Sequence, residues 1–132
     1  MIAYEEAAAA IDWLSRAFGF KEEGERYTEA DGRIGHAELV FKDGRIALAT
    51  PTRDYQSPKH HRETCEAARK WSEVPWVIDG LLVHVDDVDH HFQRAKAAGA
   101  RILSEPQTNP YGRLYRAEDL EGHRWMFLQP NP

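Results

Sequence analysis

A chain of 132 residues is long enough to bury a substantial core in one domain without covalent staples. Its formal charge of −5 and the lack of a basic stripe argue against nucleic-acid binding, and no apolar run reaches the ~20 residues that a membrane span needs. A lone cysteine, Cys65, leaves no internal disulfide, and the N-terminus lacks a basic-then-apolar signal profile, so a reducing cytoplasmic setting is expected.

Met1–Tyr4 reads as a short first strand. Glu5 and Glu6 then place negative charge where a helix N-terminus favours it. Ala10, Ile11, Leu14, Ala17 and Phe18 fall at helical spacing, and Gly19 is placed to close that helix. Phe20–Thr28 reads as a strand, and Arg33–Phe41 and Arg45–Thr50 as a hairpin around Asp43-Gly44. Residues 52–78 break the pattern, with a mostly polar helical portion expected over His60–Trp71, on the surface or against a partner subunit. The order then returns: a strand at Leu81–Val85, an N-cap at Asp86 or Asp87, a helix with Val88, Phe92 and Ala95 on one face that ends at Gly99, and strands at Arg101–Ser104, Arg113–Ala117 and His123–Gln129. Pro106, Pro110 and Gly112 fall in the connections between those strands.

The two halves also echo each other residue by residue. Residues 31–38 read Asp-Gly-Arg-Ile-Gly-His-Ala-Glu and residues 111–118 read Tyr-Gly-Arg-Leu-Tyr-Arg-Ala-Glu, each followed by an acidic-Gly turn, a strand and a proline. The expected architecture is α+β: two β-α-β-β-β modules, 1–51 and 79–130, joined by the partly helical linker 52–78, with a curved mixed sheet around a cleft.

Strand alternation separates two faces. Ala37, Leu39 and Phe41, then Leu81, Val83 and Val85, then Trp125 and Phe127 are suited to packing under helices. The opposite set mixes apolar and polar groups: His36 and Glu38 in the first half, and Leu82, His84, Arg124 and Met126 in the second. Those six residues are the candidate ligand-binding set, because pockets are mostly apolar with a few placed polar groups. Glu38, the candidate catalytic residue, or His84 could act as a general base; the competing reading is that both orient a bound ligand. His36, Glu38 and His84 together have the ligand types for a facial metal site; the competing reading is a hydrogen-bonded patch lining a pocket. Trp71, Trp76, Tyr55 and Tyr111 lie in or beside loops, as a wall for a flat ligand whose acidic group Arg124 or Arg116 would anchor, or as packing. His60, His61 and Cys65 supply too few ligands for structural zinc, and neither His90 nor His91 makes a convincing ligand.

The paired modules, Ile11-Asp12-Trp13-Leu14 with Phe18-Gly19-Phe20, Val85-Asp86-Asp87-Val88-Asp89, Ala97-Ala98-Gly99-Ala100 and Glu118-Asp119-Leu120-Glu121-Gly122-His123-Arg124-Trp125 resemble the vicinal oxygen chelate superfamily of glyoxalases, bleomycin-resistance proteins and extradiol dioxygenases. The resemblance implies a small-molecule cleft and a homodimer. In metal-using members four side chains from equivalent strand positions converge on a divalent ion. Carried onto this chain, Glu38 matches one ligand, but two others fall at Gly80 and Met126, and the fourth at or before Met1. No cofactor is therefore expected, and the reading is a metal-free binding protein. The alternative is a metal-dependent lyase, isomerase or dioxygenase with an altered ligand set.

Overall fold

Apolar residues at helical spacing form α1 (Ala7–Phe18) in the computed structural model of the chain, which describes residues 1–75 and 79–132. Ala10, Ile11, Leu14, Ala17 and Phe18 are buried, joined by Ala7 and Trp13. Gly19 ends the helix in the left-handed region (φ 84°), the conformation that glycine adopts without a Cβ penalty. Neither Glu5 nor Glu6 caps the start with its side chain. The cap comes from the other half of the chain: the Glu121 carboxylate accepts the amides of Glu5 (2.6 Å) and Glu6 (3.0 Å).

Around α1 the first module places β1 (Ile2–Ala3), β2 (Lys21–Thr28), β3 (Ile34–Phe41) and β4 (Gly44–Ala49) in one sheet of order β1-β4-β3-β2, with β1 parallel to β4. β2 is exposed along its whole length and densely charged, which protects an open sheet edge from pairing with other chains. Two short helices follow, α2 (Pro58–Thr64) and α3 (Glu66–Ser72). They correct the expectation of one helical portion over His60–Trp71, because Cys65 is extended (φ −130°, ψ 114°) and breaks the run.

The second module repeats the order with β5 (Gly80–His84), α4 (Val88–Ala97), β6 (Arg101–Asn109), β7 (Gly112–Glu118) and β8 (Arg124–Pro130). Its sheet runs β5-β8-β7-β6, again with the first strand parallel to the last. Asp87 is the N-cap, accepting the His90 amide at 3.0 Å. Pro106 lies inside β6, not in a connection as expected. β6 is the sheet edge and its register shifts on either side of Ser104, so a residue without an N–H is accommodated there. The fold is α+β, two β-α-β-β-β modules each forming a mixed four-stranded sheet.

One apolar core joins the modules. The first sheet contributes Ala37, Leu39 and Leu48, and the second Tyr115, Ala117, Trp125 and Phe127. The Phe18 ring lies 4.7 Å from that of Phe127 and 5.3 Å from that of Trp125. His91 is part of this core. Its Nδ1 lies 2.7 Å from the Tyr115 hydroxyl and its Nε2 lies 2.9 Å from the Phe18 carbonyl oxygen, and burial pushes its pKa down, favouring the neutral ring. With the inner faces of both sheets occupied in this way, the outer faces are left for other partners.

Candidate functional site

Alternation along β5, β7 and β8 sends every second side chain to the outer face of the second sheet, and register aligns them in rows across the strands. One row is Arg101, Glu118, Arg124 and Gly80. The next is Ser104, Arg116, Met126 and Leu82, and the third is Gln107, Leu114, Leu128 and His84. Successive rows are two residues apart along a strand, about 6.6 Å. All four second-module residues singled out from sequence (Leu82, His84, Arg124 and Met126) therefore share this face.

The first row is electrostatically dense. The Glu118 side chain is almost wholly buried, and its carboxylate meets Arg62 at 2.9 Å and both Arg101 and Arg124 at 3.4 Å. Arg124 also donates to the carbonyl oxygens of Ser72 and Val74. These bonds fasten the 52–75 segment over one end of the sheet. A third tie is the Lys59 amide, which donates to the Glu121 carbonyl at 3.0 Å. It requires Gly122, whose φ is +88° and where a Cβ would come within 2.8 Å of the Lys59 nitrogen.

Between α2–α3 and the first row lies a cavity of about 430 Å³, lined by Tyr55, His61, Arg62, Trp71, Glu118, His123 and Arg124 among others. Burial lifts the Tyr55 hydroxyl above its ordinary pKa, helped by the charges of Glu121, Glu5 and Asp119, so it stays a protonated donor at neutral pH. Of the aromatic residues proposed for a pocket wall, Tyr55 and Trp71 line the cavity. Tyr111 lies in the turn between β6 and β7, and Trp76 falls outside the described residues. Nothing in the local pattern around Glu118 or Arg62 marks them as cavity residues, since their pairing spans 56 positions.

His36 and Glu38 lie elsewhere. They occupy the outer face of the first sheet, where Glu38 stands opposite Glu23 on β2 and Ala47 on β4, with Arg45 3.6 Å from its carboxylate. Among the described residues no three His, Cys, Asp or Glu side chains are arranged to hold a metal ion, so His36, Glu38 and His84 do not form such a group within the chain. In the second sheet, Gly80 brings no side chain and Met126 a soft thioether to the rows. This donor set does not fit a hard divalent ion.

On the second row, two polar atoms are buried without a hydrogen-bond partner among the described residues: Nε of Arg116 and Oγ of Ser104.

Two β-α-β-β-β modules sharing one core, with a partly roofed cavity against a sheet face, define a paired-module α+β fold. The chain belongs to the glyoxalase/bleomycin resistance protein/dioxygenase superfamily, whose family model matches residues 1–127. It is 30% identical to an uncharacterised protein of Mycobacterium bovis over 96% of this chain and 78% of that one. Among solved structures, TioX from Micromonospora sp. ML1 is similar at 35% identity and a TM-score of 0.69, with 99% of this chain and 93% of TioX covered. TnmS3, an antibiotic binding protein from Streptomyces sp. CB03234, is similar in fold at 20% identity and a TM-score of 0.65, covering 98% of this chain and 91% of TnmS3.

Proposed function

We propose that this protein binds and sequesters a flat aromatic small molecule, without a metal, on the outer face of the second sheet and beneath α2–α3. The observation that carries this reading is the cavity of about 430 Å³, where Tyr55 and Trp71 face a buried Glu118–arginine cluster. Such a volume lies within the range of small-molecule sites, and aromatic walls with a few fixed polar groups are what such sites use to orient a ring. The fold likeness to an antibiotic binding protein supports a small-molecule ligand. The alternative, a metal-dependent lyase, isomerase or dioxygenase built on Glu38, has less support because the residues at the family's ligand positions do not fit a divalent ion.

We further read the protein as a cytoplasmic homodimer. Leu82 is 55% exposed and Tyr27 61% exposed on the outer faces of the two sheets, apolar area that a second copy would cover. Light scattering coupled to size exclusion measures that directly; a monomer at high micromolar concentration would contradict it.

A thermal-shift screen of flat aromatic compounds tests the binding reading. A ligand at a hundred times its Kd stabilises the fold by ~2.7 kcal/mol. Hits are expected among polycyclic aromatic compounds and should weaken in Trp71→Ala. A broad panel that leaves the melting temperature unmoved contradicts sequestration.

A further inference from the structure

We propose that Ser104 and Arg116 form an anion subsite on this face, so that the ligand is an aromatic acid whose carboxylate sits on Arg116 and Ser104; this rests on reading the outer face of the second sheet as the ligand cleft. The two residues are register partners on β6 and β7, directly opposite one another, in the row next to the Glu118 cluster. Nε of Arg116 and Oγ of Ser104 are both buried and both lack a partner among the described residues.

That state is unusual for an arginine here. Arg62, Arg101 and Arg124 share Glu118, Arg113 pairs with Asp89, and Arg45 pairs with Glu23. Arg116 makes no ion pair with any described residue. Buried polar groups in folded proteins are nearly always satisfied, and a buried donor of a cation is the costliest kind to leave open. Both open groups can donate, so what completes them is an acceptor, and the guanidinium charge favours an anionic one. A guanidinium presents parallel N–H groups that match the two oxygens of a carboxylate, with a hydroxyl alongside to take a further lone pair. The same row and the next supply Met126, Leu114 and Leu128 as an apolar floor for the ring. Arg124 is the poorer anchor, because it already serves Glu118 and two carbonyl oxygens of the roof.

The test uses 2-naphthoate and its uncharged counterpart 2-naphthamide, titrated calorimetrically into the full chain. The wild type is expected to bind naphthoate at least about tenfold tighter than the amide, the size of a charge-assisted hydrogen bond. Arg116→Gln should abolish that preference, bringing the naphthoate affinity down to that of the amide. Arg116→Lys should retain part of it, and Ser104→Ala should reduce it. Equal affinity of the wild type for both probes overturns the subsite and leaves the aromatic cleft standing. Binding of neither overturns the cleft and the subsite together. A preference for naphthoate that survives Arg116→Gln and Arg116→Lys also overturns the assignment, since the anion would then be held elsewhere.

Discussion

The hydroxyl of Tyr4 donates a 2.7 Å hydrogen bond to Oδ2 of Asp119, which lies 115 positions away in the other module. The same oxygen accepts the Trp125 indole N–H at 3.1 Å, while Oδ1 accepts the amides of Glu121 and His123 at 3.0 Å each. Burial pushes the Asp119 carboxyl pKa up, and these donors act against that effect. The arrangement also shapes the turn that presents Glu121 to the start of α1. Tyr4→Phe keeps the ring but leaves a buried acceptor one donor short. It should cost about 1–3 kcal/mol in urea unfolding. Unchanged stability would mean that this bond contributes nothing to joining the modules.

Glu118 should be a sensitive charged position. Its side chain is buried, and removing it takes away the carboxylate that Arg62 meets at 2.9 Å, so Glu118→Ala should cost about 3–5 kcal/mol. Arg101→Ala removes a partner whose side chain is 56% exposed, and should change stability by less than about 1 kcal/mol. Chemical denaturation of both variants checks the order, and similar losses for the two would contradict it.

Attachment of the roof should depend on pH. Nδ1 of His60 lies 2.7 Å from Oε1 of Glu5, and that hydrogen bond with the Glu5 charge raises the His60 pKa. Burial tends to raise the Glu5 pKa, but hydrogen bonds from His60 and Ser57 outweigh it and hold the carboxyl below its ordinary value. A raised histidine stabilises fully below its unfolded pKa, and the contribution is lost as pH rises through the folded one. A lowered carboxyl stabilises above its unfolded pKa, and its contribution is lost as pH falls through the folded one. Both are present together between about pH 5 and pH 6.5. The melting-temperature gap between wild type and His60→Gln should be widest there and narrow toward pH 8. A gap independent of pH would contradict the pairing.

Gly122 gives a prediction that links fold to cavity. Gly122→Ala forces a Cβ against the Lys59 backbone and strains a positive φ, so it should destabilise the protein by at least about 1 kcal/mol. It should also release α2 from the sheet, which faster amide exchange at Lys59–Arg62 would report. Unaltered exchange would show that this contact does not hold the roof.

Periodicity made the local elements legible: the α1 stripe and the Asp87 cap follow from spacing and cap chemistry, and the hairpin forms, but its turn is Lys42-Asp43, with Lys42 at φ 55° and Gly44 already paired with Phe41 in β4. Non-local terms decided the rest. Glu121 caps α1 from the opposite module, so no pattern around Glu5 and Glu6 could show it. His91 reads as one of two adjacent helix histidines, yet its ring is buried because Tyr115 and the Phe18 carbonyl supply both of its hydrogen bonds. Pro106 reads as a break, but an edge strand with shifted register tolerates it. For the site, alternation correctly placed Leu82, His84, Arg124 and Met126 on one face. Only register showed that His36 and Glu38 belong to the other sheet, and only tertiary packing brought Arg62 onto Glu118.

The most direct measurement is a crystal structure of the protein with the strongest aromatic hit from the thermal-shift screen. The ring is predicted to lie between Trp71 and Tyr55 over the Glu118–Arg124 row, extending toward Arg116. A ligand seated instead on the first sheet beside His36 and Glu38, or held there through a metal ion on Glu38, would contradict the account.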